Sequence, residues 1–137
     1  MSYDLMVFDP TSAPGTRAAF LEWYERGQNG DEDAAPSDDP NSLPLPLRAW
    51  FLEMVETFPP MNNFYLKTAD VDDPKATDYG LARVSIYACF SWSQAEAAYG
   101  HVKALAARHA VGLFDVSSNA GDVWIPDGRG NLERVTK

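Results

Sequence analysis

The chain has almost no thiol and little imidazole: one cysteine, Cys89, and two histidines, His101 and His109, among 137 residues. A single cysteine forbids an intramolecular disulfide and excludes a cysteine-rich secreted scaffold. The two histidines fall on one predicted helix but two turns apart, too far to share a metal ion, and neither has a cysteine at ligand spacing. His109 suits a helix end, where positive charge is favoured, and His101 reads as a surface residue. Long apolar runs are missing too. The opening MSYDLMVFDP has no basic lead, and its hydrophobic stretch is too short for a secretory signal or a membrane span. A soluble cytoplasmic protein is therefore expected. Catalytic signatures are equally scarce. Gly112, Gly121, Gly128 and Gly130 fit no phosphate-binding or dinucleotide fingerprint, and Ser117 and Ser118 lack a G-x-S-x-G elbow. Cys89, on the more polar face of a strand, reads as a small hydrophobe rather than a nucleophile. Asp115 and Asp122 can face each other across a hairpin, an arrangement that raises a carboxyl pKa without implying catalysis. These gaps predict a protein that is not an enzyme and needs neither metal nor cofactor.

Positive charge is also short, with 11 Lys and Arg against 20 Asp and Glu, for a net charge of −9. The imbalance is local. Residues 31–78 carry Asp31, Glu32, Asp33, Asp38, Asp39, Glu53, Glu56, Asp70, Asp72, Asp73 and Asp78 against Arg48, Lys67 and Lys75, a balance of −8. Such a field repels nucleic acid and anionic membranes and steers basic partners inward. Asp70-Val71-Asp72-Asp73 has the beginnings of a calcium loop. Pro74 interrupts it, however, and the glycine and closing glutamate are absent, so a solvated acidic loop is the better account. Asp31-Glu32-Asp33 likewise reads as a solvated run.

Apolar residues make up 45% of the chain and aromatics 12%, enough to bury one respectable core. Tyr3 to Phe8 reads as a strand apolar on both faces. Thr16 starts a helix through Gln28 whose Phe20, Trp23 and Tyr24 share a stripe. Trp23 and Tyr24 are about 100° apart, so they cannot both point straight into a core, and one should be half exposed. An acidic loop follows. Next comes a helix with Leu47, Trp50, Phe51, Met54, Val55 and Phe58 on one face, the strongest periodicity in the sequence. Pro59 and Pro60 stop it. A second acidic loop spans Met61 to Asp78, so the two loops should lie near the two ends of that helix. Ala82, Val84, Ile86, Ala88, Phe90 and Trp92 alternate as the buried face of a single strand. Ser93 and Glu96 form a capping box for a third helix that buries Ala98, Val102, Leu105 and Ala106. Two short strands, 112–117 and 122–125, form a closing hairpin through Asn119-Ala120-Gly121. The expected fold is α+β, in the order β-α-α-β-α-β-β. It has a small mixed or antiparallel sheet of about four strands with about three helices on one face. Residues 1–127 form the domain and 128–137 a poorly ordered tail.

The segments YDLMVFDP, LRAWFLEMVETFPPMN, IYACFSWSQAEAAY, VGLFDVSS and VWIPDG together resemble a group of small bacterial proteins from polymorphic toxin and secretion-system loci. Members of that group serve as immunity partners. The resemblance implies a cytoplasmic inhibitor that covers a cognate toxin, and it supplies no catalytic signature. An acidic inhibitor would suit a basic toxin domain, since enzymes that act on nucleic acid are basic where they bind phosphate. Charge and exposure then nominate the binding residues: Asp31, Glu32, Asp33, Asp38, Asp39, Asp70, Asp72 and Asp73, with the aromatics Trp23 and Tyr24. The partner would be a basic protein, with no nucleic acid or membrane bound and the chain a monomer or homodimer. Two rivals come from other classes. One is a small-molecule-binding or metal-dependent enzyme with its site between the second helix and the sheet; the other is a homo-oligomeric assembly subunit.

Overall fold

Residues 2–28, 36–37, 39–61, 68–70 and 72–137 are described by a computed structural model. Among the described residues, six strands and three α-helices follow one another along the chain. They are β1 (Ser2–Phe8), α1 (Arg17–Gln28), α2 (Leu45–Thr57), β2 (Asp78–Leu81), β3 (Ser85–Ser91), α3 (Ala95–His109), β4 (Gly112–Phe114), β5 (Val123–Pro126) and β6 (Leu132–Arg134). The strands form one sheet in the order β2-β3-β1-β4-β5-β6, and every neighbouring pair is antiparallel. The α+β class stands. The sheet has six strands, where about four were expected.

The helices do not share one face, and β1 shows why. Leu5, Met6, Val7 and Phe8 are all buried, so a strand apolar on both sides needs cover on both sides. Leu5 and Val7 pack with Ile86, Ala88, Phe90 and Leu113 beneath α2 and α3. Met6 and Phe8 join Phe20 of α1, together with Phe114 and Val123, on the other face. On the first face, α2 buries Leu47, Trp50, Phe51 and Met54, and α3 buries Ala98, Val102, Leu105 and Ala106. Glu53 ties these two helices at the rim, accepting from Arg108 at 2.5 Å and bonding His109 Nε2 at 2.8 Å. The His109 contact, and then the Arg108 charge, hold the Glu53 carboxyl below its ordinary range. Among the described residues, no helix is long and apolar enough to cross a membrane.

Four local expectations are corrected. The single strand expected over residues 82–92 is β3 alone, and the first three residues of that range, Ala82–Val84, are the turn of a β2–β3 hairpin, closed by the Ala82 amide donating to the Ser85 carbonyl at 2.9 Å. Trp92, expected in the core, is 55% exposed, because the chain leaves the sheet there in a 3-10 turn, Trp92–Gln94. That turn displaces the capping box: Gln94 precedes α3 and makes no side-chain cap, so Ser93 does not serve. The supposed tail contains β6, and beyond it the Val135 amide donates to the Val123 carbonyl at 2.8 Å, while the Arg17 amide donates to the Lys137 carbonyl.

The end of α3 offers a clean stability test. Ala110 closes the helix in the left-handed region at φ 55°, where its Cβ crowds the following carbonyl. Ala110→Gly removes that strain at an exposed position and should raise stability by about 1 kcal/mol. Urea titration reads this directly, and an unchanged or lower midpoint would refute it.

Candidate functional site

Helix α1 covers only part of its face of the sheet. Phe20 packs on Phe8 at 4.8 Å and on Phe114 at 5.2 Å, and Tyr24 meets Phe114 at 4.9 Å, so the helix sits over β1 and β4. Among the described residues, the β2–β3 hairpin beside it stays open on this side. Between the two lies a groove of about 340 Å³, walled by Trp23, Tyr24 and Gly27 and floored by Met6, Gly80 and Tyr87, with Pro36 and Ser85 at its margins. Two small residues create the space: Gly27 thins the helix wall, and Gly80 leaves the sheet surface bare.

The polar character of this face comes from phenols and carboxylates. Tyr87 Oη donates to Asp4 Oδ2 at 2.8 Å, and Ser2 Oγ donates to Asp4 Oδ1 at 2.6 Å. Burial first, then the bond to Asp4, push the Tyr87 phenol far above its ordinary value, so it remains a donor at all physiological pH. Burial also raises Tyr24, and the neighbouring Tyr87 hydroxyl opposes that rise. Across the same face Asp78, Cys89 and Asp4 stand in register on β2, β3 and β1. Burial, followed by the flanking carboxylates, pushes the Cys89 thiol up to about 12. Cys89 should therefore alkylate with iodoacetamide at pH 8 at least about a hundredfold more slowly than a free thiol of ordinary pKa. A rate near that of free cysteine would show the thiol to be activated after all.

The nominated residues fall into three groups. Trp23 and Tyr24 come together at the groove, and both are half-buried, where one of the two was expected to be. Asp31, Glu32, Asp33 and Asp38 lie outside the described residues. Of the remaining acids, Asp39 and Asp73 are anchored by the backbone. Asp39 Oδ1 accepts from the Asn41 amide at 2.9 Å and starts the 3-10 turn Pro40–Ser42. Asp73 Oδ1 accepts from the Lys75 amide at 2.9 Å, and Asp70 and Asp72 are exposed. Both acidic segments are also fastened to one short strand. Ser37 bridges Leu81 at the end of β2, and Pro60 bridges Thr77 just before its start. The two segments thus flank β2 as well as α2, with β2 separating them by about 13 Å at the usual strand rise.

Elsewhere, the other candidates settle into structural roles. His101, expected at the surface, is half-buried with its ring 5.8 Å from that of Phe58. Burial lowers its pKa. Asp115 is only 7% exposed; burial is the main cause of its raised pKa and Asp122 a minor one, and its Oδ1 accepts from Tyr3 Oη at 3.0 Å. The space between α2 and the sheet, where a small-molecule site was expected, is filled by Trp50, Phe51 and Phe90. The groove walled by Trp23 and Tyr24 lies on the opposite face. Sequence reasoning missed Asp4, Gly80 and Tyr87. Their signal is period-two alternation, which places Gly80 and Tyr87 as paired residues opposite the buried Tyr79 and Ala88. The chain matches no family model, no curated protein and no solved structure.

Proposed function

We propose that this chain is a non-enzymatic, cytoplasmic binding protein that neutralises a cognate bacterial toxin by presenting an acidic surface to a basic face of that toxin. One observation carries the reading: both acidic segments are fastened near the ends of β2, the first at the margin of a groove walled by Trp23 and Tyr24 and the second against Val55, Glu56 and Pro59 at the end of α2. Asp39, Asp70, Asp72 and Asp78 are exposed there and make no ion pair among the described residues. Their field therefore reaches solvent unpaired by the described cations. Aromatic surface next to that field is the composition of an interface hot spot. The toxin half of the proposal draws its support from the resemblance of the sequence segments to immunity proteins, and a monomer or homodimer is the form in which the chain would act.

Attraction of this kind acts mainly before docking, so it sets association rate more than dissociation rate. Replacing Asp31, Glu32, Asp33, Asp38 and Asp39 by their amides should slow association with the co-purified basic partner about tenfold at low salt. The deficit should shrink as salt screens the field. Stopped-flow or surface kinetics at two ionic strengths reads this out. If the neutralised variant associates as fast as the parent at both, the acidic surface is not the interface. A second reading, capture of a small molecule, is favoured by the groove itself, since about 340 Å³ lies within the usual range for ligand sites. It predicts binding indifferent to the acidic segments.

A further inference from the structure

We propose that the groove between α1 and the β2–β3 hairpin is a guanidinium site, which receives an arginine side chain of the basic partner. The inference rests on the binding role above and names the group that this surface recognises. Three aromatic rings, Trp23, Tyr24 and Tyr87, line the groove, and ring faces attract cations. Negative charge stands behind and beside them. The Asp4 carboxylate accepts from Tyr87 Oη at 2.8 Å. Asp78 lies on the same sheet face as Gly80, two residues earlier in β2. Ser37, whose Oγ accepts from the Asp39 amide at 3.2 Å, is fastened to Leu81 at the margin of the groove, its amide donating to the Leu81 carbonyl at 2.9 Å. A neutral apolar side chain would leave these charges unused. Between the two common cations, the groove favours the planar, weakly hydrated guanidinium, which stacks on aromatic rings; an ammonium loses more hydration on entering an apolar cleft.

Gly80 supplies the decisive variant. Among the described residues, a Cβ built there meets the Tyr87 carbonyl oxygen at 3.8 Å and the Tyr87 Cβ at 3.9 Å, ordinary contacts, so the strand backbone accepts a side chain at this position and Gly80→Leu extends one into the groove. A leucine also suits a strand better than glycine does. The probe is a labelled hexapeptide of alternating glycine and arginine, measured by fluorescence anisotropy beside the matching lysine and citrulline peptides. Free argininamide serves as competitor. The arginine peptide should bind the parent about tenfold more tightly than the citrulline peptide, and more tightly than the lysine peptide. Argininamide should compete only weakly, which places the group on a polypeptide. Gly80→Leu should weaken the arginine peptide about tenfold with its melting transition retained. Trp23→Leu should act in the same direction and serves if Gly80→Leu does not fold.

Equal binding of the arginine peptide to parent and Gly80→Leu overturns the proposal. So does equal affinity for the arginine and lysine peptides, or no binding of the arginine peptide to the parent. A strong effect of argininamide would transfer the site to a free small cation and overturn the choice of partner. Failure of the underlying reading looks different. Replacing Asp39, Asp70, Asp72 and Asp73 by asparagine would then leave affinity unchanged at both low and high salt, while Gly80→Leu still abolished it.

Discussion

Trp50→Ala should destabilise the fold by about 3–5 kcal/mol, a large share of the stability of any domain this size. The indole is 0% exposed at the centre of the α2 stripe, between Leu47, Phe51 and Met54, and its Nε1 donates to the Val102 carbonyl of α3 at 3.4 Å. Truncation removes buried apolar area and leaves a cavity that α2 and α3, pinned to the sheet by the same cluster, have little freedom to close. Guanidinium unfolding monitored by circular dichroism, which the remaining tryptophans do not confuse, gives the difference. A midpoint within error of the parent would mean that the packing of α2 on α3 is misplaced.

The second large effect comes from adding atoms. Gly112→Val should cost about 3 kcal/mol, the upper part of the range for over-packed cores. A Cβ at residue 112 would lie 2.3 Å from both Cε2 and Cζ of Phe8, whose ring lies across the glycine on the neighbouring strand. That ring is 0% exposed and is held from behind by Phe20 at 4.8 Å and Trp23 at 6.1 Å, so it has nowhere to swing. The coupling is testable in a double-mutant cycle. Gly112→Ala should cost less in a Phe8→Leu background than in the parent, because the shortened side chain vacates the space. Additive costs would show that the glycine is required for some other reason.

What the sequence made legible follows from how far each signal reaches. The α2 stripe was readable because a helix repeats its contact every turn and the two prolines after Phe58 mark its end. The apolar character of β1 on both faces was readable as well. Its consequence, a layer on each side, depends on which strands become its neighbours, and neighbours are a property of the whole sheet. The β2–β3 turn was hidden because Ala82-Arg83-Val84 contains none of the usual turn residues. Ala82 and Val84 are both buried at the bend, so the alternation runs through it without a break. β6 was hidden by Gly128 and Gly130, which mark a turn just as readily as they mark a chain end. Of the site, the acidic charge and the Trp23–Tyr24 pair were plain in the composition. The groove was not, since it arises from what Gly27 and Gly80 omit, and from Asp4 and Tyr87 meeting across 83 residues of chain.

The central place of β1 has a consequence for how this protein is made. Ser85 is the first residue that can pair with it and Phe114 the last, so the strand at residues 2–8 sits in the middle of a sheet whose other members are all encoded later. Closing such long loops must precede any reward from the ladder, which places the chain among slow folders. At the usual pace of translation, β1 leaves the ribosome roughly 5–20 s before β4 is available to it. Until β3 emerges it is an apolar ribbon with two open edges, and one edge stays open until β4 follows. A fragment ending anywhere before residue 85 would keep those edges open for good, and such fragments should be found in the insoluble fraction.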